Sequence, residues 1–312
     1  INQTKATNVN KYELNRMTEN IVNDMFNGAD ITSTDIYNRL TNNIVTLAVS
    51  KVVENSSIAA VNITKGVFSA INNQISNRML NITGRSGGDE PSNVGIWVQG
   101  LANYSKKTGE SSFDSYTFGV TTGFDKKFGN DVIFGLGYTY NGTKADVGPS
   151  DIDIDGHTLF IYGQYSPINQ WHIDTMLSVG MASYKEKLGI SHSNYDIYNF
   201  GTKLISGYDW NNGFGILGGA RFLNITQKDY QNFIGQHTKG DSNSVLTLVG
   251  GAKYDTNISS YLVTNLHINT TYDILRPDDS KVIDIDGIIY HINGGNVKPF
   301  GIETGIAFNL YD

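Results

Sequence analysis

From Gly95 onward the chain alternates apolar residues with small or polar ones. Tyr116, Phe118, Val120, Thr122 and Phe124 interleave with Thr117, Gly119, Thr121, Gly123 and Asp125. Val132, Phe134, Leu136, Tyr138 and Tyr140 interleave with Ile133, Gly135, Gly137, Thr139 and Asn141. Successive strand side chains point to opposite faces, so this period gives each strand one greasy and one polar side. The pattern predicts ten strands, over about 94–105, 115–127, 132–143, 156–165, 171–187, 198–210, 214–226, 244–255, 261–273 and 299–311. Their connections alternate between short and long. Phe128–Asp131, Ser166–Gln170, Asn211–Gly213 and Thr256–Ser260 are short. Lys106–Asp114, Lys144–Asp155, the segment around Ser191–Ser193, Asp229–Asn243 and Pro277–Pro299 are long. A soluble β-sandwich could alternate in this way but has no reason to sort its loops by parity. An antiparallel transmembrane β-barrel does, because one rim faces the cell surface and the other the periplasm.

Upstream, residues 1 to about 83 read as helical. Ser33-Thr34-Asp35 offers N-cap candidates before Ile36, Leu40, Ile44 and Leu47 at helical spacing, and Gly28 closes an earlier short helix from about Tyr12. Val67, Ile71, Ile75 and Met79 form a later stripe, with Asn72, Asn73, Ser76, Asn77 and Arg78 around the rest. Gly84–Pro91 reads as a linker. The expected domains are 1–56, helical and belonging to the end of a preceding region; 57–92, a helix and linker; and 93–312, the barrel.

Face assignment adds detail. The expected outward set is Trp97, Tyr116, Phe134, Tyr138, Trp171, Tyr208, Trp210, Phe214, Phe300 and Phe308, many near strand ends where amphipathic rings meet an interface. The expected lumen set is rich in glycine, with Gly119, Gly123, Gly135, Gly137, Gly201, Gly207, Gly301 and Gly305, joined by Thr117, Asp125, Asn199 and Lys203. Glycine removes volume and leaves room for something to pass, or else it eases strand curvature.

Composition narrows the classes. The chain has 312 residues, 34 glycines, 5 prolines, no cysteine and a net charge of −7. The acidic balance speaks against nucleic acid as a partner. Lack of cysteine suits passage through an oxidising compartment. Mean hydropathy is −0.26, as a soluble chain would have, but only alternate barrel residues meet lipid. No run approaches the roughly eighteen apolar residues of a transmembrane helix, Ile44–Val53 being the nearest. The start at Ile1 is no signal peptide, so an exported chain would be a mature fragment.

Gly95-Ile96-Trp97-Val98-Gln99-Gly100, Tyr116–Asp125, Phe134-Gly135-Leu136-Gly137-Tyr138 and Val249-Gly250-Gly251-Ala252-Lys253-Tyr254, preceded by Asn73-Gln74-Ile75-Ser76-Asn77-Arg78-Met79, resemble the autotransporter translocator domain of Gram-negative type V secretion, over about residues 60–312. The resemblance implies a twelve-stranded outer-membrane barrel with a helix threaded through its pore, an N-terminal passenger outside, and insertion by the barrel-assembly machinery. Val67, Ile71, Ile75, Asn77, Arg78 and Met79 would then belong to the pore helix, about 17 residues covering about 25 Å. The alternative is an ordinary amphipathic helix on a soluble domain. Against the family pattern the last two strands look missing after Leu310, and residues 1–55 lack the repeats of a typical passenger. The expected function is export and surface anchoring of a passenger, with outer-membrane lipid, the assembly machinery and the passenger as partners. The alternative is an adhesin or small porin whose long loops bind host ligands.

Little chemistry is expected. Some members of the family cut themselves at paired asparagines, and Asn72-Asn73 lies in the matching helix. The Asn72 side-chain nitrogen would attack its own carbonyl carbon, with a held acid to activate it. A second pair at Asn42-Asn43, and a spacing to Arg78-Met79 one residue longer than in the cut members, argue against this, so no enzyme is expected. Asp151-Ile152-Asp153-Ile154-Asp155-Gly156 imitates a calcium loop but places Tyr162 at the twelfth position. Asp284-Ile285-Asp286-Gly287 reads as a solvated loop, and no cofactor or metal is expected.

Overall fold

The computed structural model describes residues 9–83, 94–108, 111–129, 131–168, 170–259, 262–276, 280–293 and 299–310. Helix α1 (Lys11–Phe26) starts with a capping box, in which the Asn10 side chain accepts from the Glu13 N–H and the Glu13 carboxylate accepts from that of Asn10. It ends at Gly28, whose φ of +87° suits glycine, as the sequence indicates. Helix α2 (Ser33–Thr83) runs unbroken for 51 residues, about 76 Å at 1.5 Å per residue. Its box is made by Thr32 and Asp35, one residue earlier than the Ser33–Asp35 expectation. The two separate helical stripes of the sequence are thus one rod, because no proline interrupts it and Gly66 is its lone glycine. The part Ser33–Met79 is long and apolar enough to cross a membrane by itself, with a mean hydropathy of 1.4 over its best 18 residues.

Ten strands form one antiparallel sheet: β1 (Val94–Lys107), β2 (Phe113–Phe128), β3 (Val132–Val147), β4 (Ser150–Ile168), β5 (Trp171–Leu188), β6 (Ser191–Asp209), β7 (Phe214–Gln227), β10 (Ser242–Ser259), β11 (Leu262–Leu275) and β14 (Phe300–Leu310). Two small hairpins are inserted, β8 (Tyr230–Gln231) with β9 (His237–Thr238) and β12 (Ser280–Ile285) with β13 (Ile288–Asn293). Among the described residues β1 and β14 each pair on one side only.

Strand number and order agree with the alternation, but four expected long loops have other structures, Asp229–Asn243 holding the β8–β9 hairpin. Lys144–Asp155 and Ser191–Ser193 are strand, and the chain reverses tightly at Gly148 and Gly189, both at positive φ. Asp151, Asp153 and Asp155 therefore sit on β4, with Ile152 and Ile154 buried on its other face. Charged side chains hid a continuing period of two. Pro277–Pro299 contains the β12–β13 hairpin, turned at Asp286 and Gly287 (φ 57° and 76°), a pairing that suits a two-residue primed turn.

A helix-filled bore as candidate functional site

The sheet is inside-out relative to a soluble protein. On β2 the residues Phe118, Val120 and Phe124 are exposed while Thr117, Thr121 and Asp125 are buried. Inward hydroxyls pair across strands, Thr117 with Thr143 at 2.7 Å and Thr121 with Thr139 at 2.9 Å. An apolar outer belt over a polar interior belongs in lipid. Aromatic side chains crowd its margin: Trp210 packs between Tyr208 and Phe214, and the Trp171 indole donates to Ser206.

The sheet curls around α2. Thr64 reaches Tyr184 of β5 (3.2 Å), Ser69 donates to Glu303 of β14 (2.5 Å), and Lys203 of β6 donates to Ser76 (2.9 Å). Gln74 donates to the Gly100 carbonyl of β1 and accepts from Thr121 of β2, both at 2.7 Å. Groups on strands all round the sheet meet one helix, which therefore lies in the lumen. Val67 is half-buried, and Ile71, Ile75 and Met79 are buried. Asn77 is half-buried. Arg78 makes a forked pair with Asp125, Nε to Oδ2 at 2.8 Å and an amino nitrogen to Oδ1 at 3.0 Å. Lys65 meets Asp273 at 2.5 Å. Toward β3–β6 the helix leaves only a small pocket of about 30 Å³, beside Asn141, Thr143, Thr158 and Asn199.

Wall charges mostly satisfy one another. Arg221 holds Glu303 at 2.9 Å, Lys253 holds Asp209 at 2.8 Å, and Asp174 accepts from His172 (3.1 Å) and Gln164 (2.8 Å). A buried carboxylate with such partners is cheap to keep, whereas an orphaned one is not. At the opposite end from Arg78, the Glu186 carboxylate accepts from Ser56, above a stack of Tyr184, Tyr195 and Tyr230.

The inward glycines Gly119, Gly123, Gly135, Gly137, Gly201, Gly207 and Gly305 share the lumen face with Asp125 and Lys203. They do not leave empty clearance. A methyl group on Gly123 would strike the Trp97 ring, on Gly135 the Tyr162 ring, on Gly137 the Phe160 ring, and on Gly207 or Gly305 a neighbouring histidine. Wall side chains lie across most of these positions. At Gly201 the occupant is Phe68 of α2. Trp97 is a correction to the outward set: it is 6% exposed, whereas its neighbours Ile96 and Val98 are 81% and 67% exposed. Two outward aliphatics fix the parity of β1. Trp97 fits inside because it pairs with Gly123 and its indole N–H donates to Tyr162 (2.8 Å). The other described members of the outward set are exposed. The side chain of Phe308 and the linker Gly84–Pro91 lie outside the described residues.

Beyond the bore, α2 continues into a folded cap. Leu40, Ile44 and Leu47 pack with Met17 of α1 and with Ile285, Ile288 and Tyr290 of the β12–β13 hairpin. Asp286 is not a solvated loop residue: it accepts from Arg39 and from Asn43 (3.1 Å), and Arg39 also holds Asp24 at 2.6 Å. Burial pushes the Asp286 carboxyl up, but the Arg39 and Asn43 hydrogen bonds outweigh it and hold the group below its ordinary range. Lys51 ties α2 to Glu13 of α1 at 2.7 Å.

Asn72 is fully buried, its side-chain nitrogen donating to the Phe68 carbonyl (2.7 Å) while Lys203 approaches its own carbonyl (3.4 Å); Asn73 accepts from Arg221 (3.3 Å). Sequence reasoning singled out Arg78, Asp125 and Lys203 but missed Lys65, Phe68, Tyr162, Asp273 and Glu303. A usable signal existed for one of them: Lys65 and Arg78 are the sole charged residues between 55 and 83.

The family profile and the NalP structure agree with this geometry. The sequence profile of the family described as "Autotransporter beta-domain" matches residues 96–290. Outer membrane protein B of Rickettsia japonica is 25% identical over 278 aligned residues, covering 70% of this chain; the chain spans 17% of the length of that relative. The translocator domain of the autotransporter NalP from Neisseria meningitidis has the same fold, with a TM-score of 0.57 at 13% identity, over 79% of this chain and 98% of that one. The beta domain of the Bordetella autotransporter BrkA matches with a TM-score of 0.49 at 14% identity, over 70% of this chain and 95% of that one. With a polar bore, a lipid-type exterior and this profile match over most of its length, the chain belongs to the autotransporter beta-domain family of the bacterial outer membrane.

Proposed function

We propose that this domain is the translocator of an autotransporter: it sits in the outer membrane, lets its own upstream passenger reach the cell surface, and afterwards holds it there by α2. The observation that carries the reading is a hydroxyl- and charge-lined bore occupied by the helix that immediately precedes it, so that the chain upstream must leave through one rim. Outer-membrane lipid would cover the exposed faces of Phe118, Val120 and Leu136, and the cell's barrel-assembly machinery would insert the sheet. Residues 9–50 form the external cap and residues from about 56 the plug. Because the chain has no cysteine, a single Ala29→Cys in the exposed α1–α2 linker tests topology cleanly. A membrane-impermeant maleimide should label it on intact bacteria. Protection until the outer membrane is permeabilised would refute export and favour a periplasmic N-terminus, as in the porin alternative.

The domain acts on no external substrate in this reading, and Asn72-Asn73 serve as anchors. The Asn72 nitrogen, the would-be nucleophile, is engaged by the Phe68 carbonyl, and Asn73 is held by Arg221. Gel analysis of the chain expressed with its passenger should show the same fragments for the natural sequence and Asn72→Ala. A fragment lost on that substitution would restore the self-cleaving alternative.

A further inference from the structure

We propose that Lys65 and Arg78 are two keys that fix how far the chain is drawn through the bore, each seating in its own wall aspartate. The proposal rests on the translocator reading and adds the device that sets the stopping point.

The two seats are built alike. Asp125 on β2 is 3% exposed and accepts from the Tyr162 hydroxyl at 2.8 Å as well as from Arg78; Asp273 on β11 is 6% exposed and accepts from the Thr247 hydroxyl at 2.6 Å as well as from Lys65. In each, a wall hydroxyl orients a buried carboxylate and a helix cation completes it. The other lumenal acids offer no competing seat. Glu303, Asp209 and Asp174 already have Arg221, Lys253 and His172 from the wall. Glu186 has no cation among the described residues, but it accepts from Ser56, nine residues up the helix from Lys65, so Lys65 would reach it only after a shift of about 13 Å that empties both aspartate seats. Among the described residues the ion pairs give Asp125 and Asp273 no wall cation.

Spacing makes the fit unique. The keys are thirteen residues apart, about 20 Å along a helix. Shifting α2 by one turn, about 6 Å, would bring Gln74 and Val61, or Ile82 and Ser69, to the seats, and none of these is charged. Both aspartates would then be buried without a cation, which is strongly unfavourable. At every intermediate register the rest of the plug presents amides, hydroxyls and aliphatic groups, which can satisfy the wall cation Lys203 as Ser76 and the Asn72 carbonyl do here but can neutralise neither Asp125 nor Asp273. The helix therefore has little to hold it anywhere but here.

The test uses paired cysteines and a short thiol cross-linker in the full chain, with the heat-dependent gel shift of a folded barrel as the assembly control. Gln74 and Thr121 touch in the structure. With the natural keys, Gln74→Cys should join Thr121→Cys at least tenfold more than Ala70→Cys does. Moving both keys one turn toward the N-terminus (Val61→Lys, Lys65→Ala, Gln74→Arg, Arg78→Ala) should raise joining of Ala70→Cys to Thr121→Cys at least tenfold. An unchanged yield for Ala70→Cys in the assembled barrel overturns the proposal. If the moved-key chain does not assemble, the exchange decides: Arg78→Asp should lower the Gln74–Thr121 yield tenfold, and adding Asp125→Arg should restore it. Full yield with Arg78→Asp alone, or no recovery on exchange, overturns it equally. Failure of Gln74→Cys to join Thr121→Cys with the natural keys would instead sink the pore-helix reading itself.

Discussion

Substituting Gly201 by alanine asks the structure for a number. Gly201 lies on the lumen face of β6, and a methyl there would stand 2.8 Å from Phe68 Cζ, nearer still to Cε2, and 2.7 Å from Ser178 Oγ. The Ser178 hydroxyl can rotate away. The Phe68 ring is 6% exposed and packs among the lumenal core residues, so it must shift bodily. Overpacking of this kind costs about 1–3 kcal/mol. Phe68→Ala alone should cost about 3–5 kcal/mol through the cavity it leaves. Combined, the two should not add: with the ring gone, the methyl on residue 201 meets open space, so Gly201→Ala should cost about 0–0.5 kcal/mol in the Phe68→Ala background. The coupling is then about −0.5 to −3 kcal/mol, from the edge of the additivity expected of distant sites to well beyond it. Urea unfolding of detergent-solubilised barrels, followed by the gel shift and by intrinsic fluorescence, would measure all four corners of the cycle. Equal cost of Gly201→Ala in both backgrounds would mean that Phe68 does not sit on β6, and the placement of α2 in the bore would fail with it.

Three further outcomes follow from the same geometry. In single-tryptophan variants reconstituted with brominated lipid, Trp171 and Trp210 should be quenched and the inward Trp97 should not; strong quenching of Trp97 would return it to the outer face. Val120→Arg, in the middle of β2 and facing out, should cost about 2–4 kcal/mol of stability in a bilayer, measured by reversible unfolding in vesicles, and a neutral result would mean that the belt does not meet lipid. The folded-state pKa of Asp286 lies below its ordinary value of 3.8, so the Arg39–Asp286 contact stabilises the cap above that pH and is lost as pH falls through and below it. Proteolysis at the exposed Gly28–Asp30 linker should therefore be flat between about pH 5 and 8 and accelerate below about pH 4, whereas Asp286→Asn should be faster at neutral pH and insensitive across that window.

Much of this architecture is legible from alternation alone. Strand order, the short turns and the polar lumen follow from which residues recur at every second position, because a strand has only two faces. Legibility failed where local chemistry was ambiguous. At β1 the aromatic Trp97 looked like a lipid-facing anchor, but parity was already fixed by Ile96 and Val98, and only the glycine opposite and a hydroxyl partner explain how an indole fits inside. Asp151 to Asp155 looked like loop because carboxylates are common there, yet the isoleucines between them kept the period. The stripe of Leu40, Ile44 and Leu47 could be read as amphipathic without revealing its partner, since the matching residues Ile285, Ile288 and Tyr290 lie over 230 positions away in a hairpin hidden inside a long connection. The lumenal ion pairs were illegible for the same reason: sequence names the charges, but only the wall curvature decides which of them meet.

The continuity of α2 has a mechanical consequence. On the proposed topology the plug and the cap are one rigid rod, with no proline between Arg39 in the cap and Arg78 in the bore. A load applied to the exposed portion, by a passenger gripping a surface or by a protease pulling at the linker, is transmitted axially to the inner anchor instead of being absorbed by a flexible tether. Tension outside would then load the Lys65–Asp273 and Arg78–Asp125 contacts together, the second some sixty ångströms from Arg39, roughly the rise of the 39 residues between them.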